Sequence, residues 1–339
     1  MSQPHSRPII DVHHHFVPRS VFDRLSAQAG GQQRLVTSNI SITLNPTLPD
    51  VDAHLGAMER AGVTTSILSQ PGLSFLGMEV CQQINDGLAG VMRDSPGSFI
   101  GCAHVPFGEG AGRELERCVG DLGLPAIALP TSTGEVYLDD PIVDPIWDVA
   151  QRLSLPIILH PNLLPRGAET DYWLDRSVAR TTDTTKAAVR IMQNVFRRYP
   201  ELVFILPHNG GTLAFLKGRI GMFFDDDAVP RPADLKTYGL TLNQQRDMGL
   251  LKIYEERFRR FYADTAGTGA WPQAIKMAKE VFGADRLVFG SDYPLEAKTP
   301  DEMAEVLGCI YEIGLTDDEV RAVESGTTQG LLNRARLPR

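Results

Sequence analysis

The fold is indicated first by the stretch Ile9-Ile10-Asp11-Val12-His13-His14-His15-Phe16-Val17-Pro18, an apolar run that ends in three histidines. Successive side chains of a β-strand point to opposite faces, so His13 and His15 are predicted to share one face and His14 to pack away from it. Two imidazoles spaced in this way suit Zn²⁺ or another borderline divalent ion, but two ligands do not complete a site. A solvated histidine segment near the terminus is the alternative.

Three later apolar runs also end in residues that can bind a metal or move a proton, namely His160, His208 and Asp292. Eight short apolar runs rich in β-branched residues recur along the chain, and helical patterns such as residues 51–61 and 78–94 separate them. The eight runs cover residues 8–12, 63–69, 98–105, 125–130, 156–160, 202–207, 260–264 and 286–291. Each candidate residue therefore stands at or just beyond the end of a predicted strand.

This alternation predicts an α/β fold with parallel strands and right-handed crossovers, and eight strands favour a distorted (β/α)8 TIM barrel. Reactive groups of such barrels lie at the carboxyl ends of the strands. An open doubly wound sheet is the rival fold, but no G-x-G-x-x-G follows the first strand. We expect a single domain over residues 1–339, with loop insertions at about 17–50 and 225–250 above the barrel mouth. Surface loops without a role are the alternative interpretation of both segments.

Composition restricts the classes of partner. Of the 339 residues, 42% are hydrophobic and 22% are charged, as in soluble proteins with a large core. No apolar stretch could cross a membrane and no secretory signal is visible, so a cytoplasmic location is expected. The formal net charge of -9 argues against nucleic acid and anionic membranes as partners. The four cysteines are scattered and are expected to be reduced.

Four strand-end residues form the predicted metal site: His13, His15, His160 and Asp292. Three imidazoles and one carboxylate leave the open position that catalytic divalent sites keep. Taken alone, His160 could be a structural histidine and Asp292 a helix cap. Residues 125–130 of the fourth predicted strand contain no Lys, Glu or His that could hold a second ion. One divalent ion per chain is therefore predicted, Zn²⁺ first and Mn²⁺ as the alternative.

His208 is the predicted proton-transfer residue. It belongs to Pro207-His208-Asn209-Gly210-Gly211, where the glycines allow a ligand to approach the backbone closely. The ordinary pKa of histidine, near neutrality, suits proton transfer beside a metal. A further metal ligand or a core histidine is the alternative. His104 ends the third predicted strand and could face the barrel mouth, whereas His54 lies on a helix and would reach a substrate only if that helix begins near the pocket.

Together these residues resemble the amidohydrolase superfamily, in particular the branch that contains aminocarboxymuconate-semialdehyde decarboxylase and the metal-dependent salicylate, methylsalicylate and resorcylate decarboxylases. The matching stretches are Asp11-Val12-His13-His14-His15-Phe16-Val17-Pro18, Gly62-Val63-Thr64-Thr65-Ser66-Ile67-Leu68-Ser69, Ile158-Leu159-His160-Pro161, His208-Asn209-Gly210-Gly211-Thr212-Leu213, Phe261-Tyr262-Ala263-Asp264-Thr265-Ala266 and Gly290-Ser291-Asp292-Tyr293-Pro294. The resemblance implies the same four ligands and the proton-transfer role of His208. It also implies that Arg219 reaches an acidic substrate across a subunit interface, so a homodimer or a dimer of dimers is expected.

The resemblance favours a metal-dependent, non-oxidative decarboxylase of a small aromatic acid, similar to hydroxybenzoate, or of a muconate-type acid. Asp292 or His208 would protonate the ring carbon as CO₂ leaves, without an organic cofactor. The predicted substrate-binding residues are Arg219, His54, Phe75, Trp173 and Tyr293. Hydrolysis of an amide, lactone or carbon-carbon bond by metal-activated water is the alternative, and a binding protein with a vestigial metal site is the third.

Overall fold

The computed structural model describes residues 7–36, 41–162, 171–229 and 239–336. Its strands are β1 (Ile10–His15), β2 (Arg34–Val36), β3 (Ser41–Thr43), β4 (Thr65–Ser69), β5 (Phe99–Ala103), β6 (Ala126–Pro130), β7 (Ser132–Thr133), β8 (Val136–Tyr137), β9 (Ile157–His160), β10 (Phe204–Leu206), β11 (Phe261–Asp264) and β12 (Leu287–Val288). Eight of them form one parallel sheet in the order β1-β4-β5-β6-β9-β10-β11-β12. The pairs β2-β3 and β7-β8 are antiparallel hairpins.

Backbone hydrogen bonds between β1 and the segment around β12 bring the two edges of the sheet together. The amide of Val12 donates to the carbonyl of Phe289 at 2.9 Å, and the amide of Asp292 donates to the carbonyl of His13 at 2.8 Å. The predicted α/β barrel is therefore confirmed, with eight parallel strands in a nearly closed barrel. Because Asp292 lies four residues beyond β12, this pairing and not the strand itself fixes its position.

Helices occupy the connections between the strands. They are α1 (Arg19–Gln28), α2 (Val51–Ala61), α3 (Met78–Asp94), α4 (Ala111–Gly120), α5 (Asp144–Leu153), α6 (Arg180–Arg190), α7 (Phe196–Arg198), α8 (Leu213–Met222), α9 (Leu242–Asp247), α10 (Leu250–Phe258), α11 (Pro272–Phe282), α12 (Pro300–Cys309), α13 (Asp317–Arg321) and α14 (Thr327–Leu332). Local capping explains why α2 agrees with the predicted helix at 51–61. The side chain of Asp50 accepts from the amide of Ala53, and Gly62 ends the helix in the left-handed conformation.

The barrel interior holds a small apolar cluster that includes Ile10 and Val12 of β1. If side chains alternated strictly along β1 from these two inward-facing residues, His14 would also face the interior. A register irregularity between Asp11 and His14 in the pairing of β1 with β4 changes the phase, so that His13 and His15 face the interior instead. The expectation that His13 and His15 share a face therefore agrees with the structure, although the strand does not alternate regularly.

A larger apolar layer packs between the barrel strands and the helices, with Trp147, Phe204 and Phe261 among its fully buried side chains. All four cysteines are buried and free of disulfides. In the described ranges, no helix has both the length and the apolar character needed to cross a bilayer.

Candidate active site

Side chains from four strand ends converge at one end of the barrel. His13, His160, His208 and Asp292 each offer a ligand atom, and these atoms all lie within 4.8 Å of one another. His15 joins them, since its Nε2 lies 3.2 Å from Nε2 of His13 and 3.0 Å from Oδ1 of Asp292. Histidine and aspartate residues from distant parts of the sequence thus form one group that can hold a metal ion.

Hydrogen bonds fix the orientation of three of these imidazoles. Nδ1 of His13 lies 2.7 Å from Oδ2 of Asp264, Nδ1 of His15 lies 3.3 Å from the carbonyl of Ser69, and Nδ1 of His160 lies 2.9 Å from the carbonyl of Pro161. These partners accept hydrogen bonds, so a neutral ring carries its proton on Nδ1 and its lone pair on Nε2. The three Nε2 atoms are thereby prepared as metal ligands.

Two buried atoms of the group provide a test of whether a cation fits here. Nε2 of His160 has no hydrogen-bond partner among the described residues, and Oδ1 of Asp292 has no donor when His15 is neutral, because Nε2 of His15, 3.0 Å away, then carries a lone pair. A buried polar atom without a partner is costly, and a divalent ion would satisfy a nitrogen lone pair and a carboxylate oxygen together. The donor set therefore fits a metal.

The electrostatics of the group are dominated by burial and by its carboxylates. Burial acts to lower the pKa of His13, but the charges of Asp292 and Asp264 outweigh it and raise this pKa to about 9. Burial holds the pKa of His160 well below its ordinary value, and the neighbouring histidines lower it further. The nearby imidazoles outweigh burial at Asp292 and hold the pKa of its carboxyl well below the ordinary range. The site thus favours an anionic carboxylate at Asp292 and a protonated ring at His13, while burial favours the neutral ring at His160.

His208 differs from the three oriented histidines. Its Nε2 lies 3.2 Å from Oδ2 of Asp292, while its Nδ1 has no hydrogen-bond acceptor among the described residues. Both His208 and Asp292 have positive φ angles, 55° and 59°, which is uncommon for residues other than glycine and is found at functional sites. Gly267 closes over the imidazole, since a Cβ there would lie 2.2 Å from Cδ2 of His208. The backbone therefore holds this ring in one place.

Asp264 is a functional residue to which the sequence analysis assigned no role. One carboxylate oxygen faces Nδ1 of His13, and the other accepts the backbone amide of His208 at 2.8 Å. A single side chain thus orients a ligand histidine and the turn that carries the proton-transfer candidate. Its place at the end of β11 was the signal that could have identified it.

Asp11 connects the two segments that carry metal-ligand candidates. Its Oδ1 accepts the amides of His13 and Ser291, both at 3.0 Å, and its Oδ2 accepts the hydroxyl of Ser291 at 2.6 Å. Nδ1 of His14 lies 3.0 Å from the same Oδ2. Asp11 therefore holds the backbone on either side of the barrel closure.

A cleft leads from this group to the surface and measures about 700 Å³ when its open mouth is included. Its inner end is formed by His15 and His160. The other lining residues are Arg34, Ile42, Thr43, Gln70, Pro71, Gly72, Pro161, Asn162, Asp175, Arg176, Arg180 and Leu295. Part of the first predicted insertion, the β2-β3 hairpin, thus forms one wall. The described residues of the second insertion, 225–229 and 239–250, do not line the cleft.

None of the predicted substrate-binding residues is among the described residues that line the cleft. His54 is fully buried, and its Nδ1 is 2.8 Å from Nε2 of His14, because α2 packs behind β1 and not at the mouth. Tyr293 is also buried, with its ring against the rings of His14 and His54. Neither side chain reaches the cleft, so the structure corrects the expectation that they contact substrate.

Phe75, Trp173 and Arg219 are likewise absent from the cleft lining. Phe75 lies in the 3-10 helix Pro71–Leu76, whose first two residues, and not Phe75, line the cleft. Trp173 is 69% exposed, and its ring lies 5.8 Å from the guanidinium of Arg176, which does line the cleft. Arg219 is exposed near the end of α8, with its guanidinium 5.9 Å from the ring of Phe223. None of the three lines the cleft of its own chain, and their roles in substrate binding, including a role for Arg219 at a partner's cleft, stay predictions.

His104 supports the cleft from behind. It is fully buried, its Nε2 accepts the amide of Gln70 at 2.9 Å, and its Nδ1 donates to the carbonyl of Cys102 at 2.9 Å. Burial lowers the pKa of His104 to about 4. It therefore positions Gln70, which does line the cleft, and does not itself face the mouth.

A sequence profile described as amidohydrolase matches residues 10–334. The chain belongs to the amidohydrolase family. This amidohydrolase is 31% identical over 266 residues to gamma-resorcylate decarboxylase of a Polaromonas species, covering 72% of this chain and 77% of the relative. It is 28% identical over 256 residues to 2-amino-3-carboxymuconate-6-semialdehyde decarboxylase of Dictyostelium discoideum, covering 72% of this chain and 67% of the relative. The family resemblance inferred from the motifs is confirmed.

Solved structures show the same fold. A crystal structure of dihydroxybenzoic acid decarboxylase from Polaromonas, with bound manganese and the inhibitor 2-nitroresorcinol, superposes on this amidohydrolase with a TM-score of 0.73. The two sequences are 25% identical, and the match covers 96% of this chain and 97% of the other.

Proposed function

We propose that this amidohydrolase is a metal-dependent, non-oxidative decarboxylase that acts on a small aromatic acid similar to hydroxybenzoate, or on a muconate-type acid. The observation that carries the proposal is that one cleft connects the histidines of the metal-binding group to three arginines. Such a cleft offers a cationic environment to an acid and would provide Lewis-acid chemistry at its inner end when a metal is bound there. The decarboxylases among its relatives support this reaction over hydrolysis.

His13, His15, His160 and Asp292 would hold one divalent ion per chain. The ion supplies Lewis-acid chemistry and a template for the bound acid. Histidine-rich sites accept both zinc and manganese, so the proposal keeps both. Manganese is the ion to load first, because the related dihydroxybenzoic acid decarboxylase was solved with it.

His208 is the proposed proton donor. Decarboxylation breaks the bond between the ring carbon and its carboxylate, leaves the electron pair on the ring carbon, and ends when a proton forms the new C–H bond as CO₂ departs. Nδ1 of His208 is not engaged by a described acceptor, whereas Nδ1 of each of the three ligand histidines faces one. Asp292, 3.2 Å from Nε2 of His208, orients this ring and is the second candidate to relay the proton.

CO₂ release provides the test. Metal-loaded protein is incubated with a panel of hydroxybenzoates in H₂¹⁸O, with metal-stripped protein as the control. We expect CO₂ in proportion to substrate consumed, dependence on the metal, and no ¹⁸O in the aromatic product. Hydroxybenzoates contain no amide or lactone, so a hydrolase of those bonds would leave them unchanged, and a protein that only binds acids would do the same; absence of metal-dependent CO₂ release, or ¹⁸O in the aromatic product, contradicts the proposal.

A further inference from the structure

A second cavity lies at the opposite end of the barrel from the metal-binding group. It measures about 1080 Å³ when its open mouth is included, and its lining contains Val203, Arg260 and Arg286, which directly precede β10, β11 and β12. These three strands are parallel, and His208 and Asp292 follow the other ends of β10 and β12. The second cavity shares no lining residue with the cleft that leads to the metal-binding group, so the two are separate sites.

Arginine dominates the charge of the second cavity. Glu256 is the single acidic residue among its described lining residues, and Oε1 of Glu256 lies 3.8 Å from Nζ of Lys252. Five arginines line the same cavity, namely Arg257, Arg259, Arg260, Arg286 and Arg334. This concentration of positive charge contrasts with the formal net charge of -9 for the whole chain. Guanidiniums gathered around one concavity repel each other and attract an anion.

Carboxylates outside the lining compensate these arginines incompletely. Oδ2 of Asp285 is shared, since it lies 3.5 Å from Arg259 and 3.6 Å from Arg286. Glu201 pairs with Arg260 at 3.2 Å. The side chains of Glu201 and Asp285 are 63% and 62% exposed, and ion pairs with such exposed carboxylates contribute little. These pairs can therefore open when a stronger anion binds.

The other two arginines differ in how firmly they are held. Arg257 pairs with Asp226, which also pairs with Arg197, and it donates to the carbonyl of Met192 at 2.8 Å. Arg257 is therefore a fixed part of the wall. Arg334 is exposed, and its side chain forms no hydrogen bond or ion pair with another described residue. Its guanidinium is thus available to a ligand at the rim.

Arg286 is oriented to hold an anion deeper in the second cavity. Its side chain is 22% exposed, its Nη1 donates to the hydroxyl of Tyr262, and its guanidinium lies 4.7 Å from the centre of the Tyr262 ring. Its Nε is buried and has no hydrogen-bond partner among the described residues, because Asp285 at 3.6 Å is too distant to accept from it. A buried N–H group requires an acceptor, which a bound oxyanion would provide.

The remaining lining indicates what kind of anion fits. Phe196, Val203 and Ile253 add apolar surface beside the arginines. The planar fork of arginine matches pairs of phosphate oxygens, and several guanidiniums around one ligand suit a dianion. We infer that the second cavity binds a small phosphate monoester, with its phosphate at the arginines and its apolar portion against Phe196 and Ile253. This site does not depend on the proposed reaction.

Phenyl phosphate and inorganic phosphate are matched probes for this site. Their binding to manganese-loaded full-length protein is measured by isothermal titration calorimetry. We expect saturable binding of phenyl phosphate, and binding of inorganic phosphate that is roughly tenfold or more weaker, because it lacks the apolar ring. Binding should persist after the metal is removed, since the metal-binding group lies at the other end of the barrel. Raising the salt concentration should weaken the binding of both probes.

Variants identify the arginines that hold the phosphate. Arg286→Gln should weaken phenyl phosphate binding roughly tenfold or more, and Arg286→Lys should retain part of it. Arg334→Gln should also weaken it and removes no described contact, so it provides the test if Arg286→Gln is unstable. Arg152→Gln is the surface control, because Arg152 is exposed and lies outside the second cavity. Arg180→Gln, in the other cleft, should leave phenyl phosphate binding unchanged.

Three results would overturn the inference: no saturable binding of phenyl phosphate, binding that is lost with the metal, or binding that survives in both Arg286→Gln and Arg334→Gln. Loss of binding in Arg180→Gln with full binding in Arg286→Gln would likewise overturn it, by placing the phosphate beside the metal-binding group. Equal affinity for the two probes would overturn the assignment of an ester, since the apolar lining would then contribute nothing. Melting temperature verifies that each variant is folded.

Discussion

The carboxylate of Asp264 lies 2.7 Å from Nδ1 of His13, so that the two residues form a buried pair at the ends of β11 and β1. The pair couples the position of a metal-ligand candidate to the seventh strand of the barrel. Because the other oxygen of Asp264 accepts the amide of His208, one side chain controls both a ligand and the proposed proton donor.

Asp264→Asn should weaken metal binding about 10- to 100-fold, because the amide orients His13 less strongly and makes its Nε2 a poorer donor. The measurement is the metal dissociation constant from competition with a chromophoric chelator. Asp285→Asn is the control, since Asp285 is exposed beside Arg259 and distant from the site. An unchanged metal affinity in Asp264→Asn would show that the pair does not tune the ligand.

His15→Ala and His208→Ala should affect different properties of the enzyme, the first metal binding and the second catalytic rate. His15→Ala should lose most of the bound metal, because it removes a ring whose Nε2 faces Asp292. His208→Ala should retain the ion and lower kcat by about 10²- to 10⁴-fold, the contribution usual for a proton-transfer group. Metal analysis and kcat on each variant provide the comparison. Loss of metal from His208→Ala would make His208 a ligand, as the alternative interpretation holds.

Gly267→Ala should impair the site through His208. Its new Cβ would lie 2.2 Å from Cδ2 of His208, so the imidazole must move. Gly249→Ala is a matched control, because Gly249 has a similar φ of 76° against 71° but nothing within 4 Å of the added atom. Both variants incur the backbone cost of a positive φ, and only Gly267→Ala should lower kcat. Equal activities would mean that the imidazole tolerates the displacement.

Acid stability should depend on His104. Its pKa is about 4 in the folded protein because burial disfavours the charged ring, whereas an unfolded histidine titrates near pH 6.5. As the pH falls from 6.5 toward 4, the unfolded chain takes up a proton that the folded protein does not, and the free energy of unfolding decreases. The full shift corresponds to roughly 3 kcal/mol.

His104→Gln should accordingly be less stable than the parent protein at pH 7, since the amide of Gln70 loses its partner, but its stability should fall less steeply on acidification. Urea unfolding of the two metal-stripped proteins at several pH values between 7 and 4.5 measures how the free energy of unfolding of each one changes with pH. Parallel curves for the two proteins would rule out His104 as a source of the acid sensitivity.

Arg219 provides a test of subunit sharing. If the side chain enters the cleft of a partner, Arg219→Ala should weaken the binding of acidic substrates, and mixing Arg219→Ala with His208→Ala subunits should restore activity in mixed dimers, where one site combines an intact His208 with an intact Arg219. Size-exclusion chromatography and activity of the mixture are measured together. Two variants that assemble but do not complement would place Arg219 outside the site.

Much of the fold could be predicted because strand and helix patterns are local. The eight apolar runs correspond to the eight barrel strands, and the helices at 51–61 and 78–94 match α2 and α3. The histidines and Asp292 were found by their position at strand ends. Asp264 stood at a strand end as well, but a single carboxylate there has no distinctive spacing, so its contact with His13 was not visible.

The assignments of substrate-binding residues failed where they depended on distances between elements. His54 and Tyr293 were plausible by residue type, yet α2 and the segment after β12 both pack their rings behind β1. The arginines of the cleft were missed for the converse reason. Arg34, Arg176 and Arg180 have no shared motif, and only the placement of the β2-β3 hairpin against the start of α6 brings them to one cleft.

The sequence by itself determined the parallel barrel and the set of residues able to bind a metal, because the periodicity of apolar residues and the chemistry of side chains are properties of short segments. The tertiary structure decided which nitrogen of each histidine faces the site, which carboxylate supports it, and which cations line the cleft. These relationships join residues as far apart as His13 and Asp264, and they exist only once closure of the barrel brings the strand ends together.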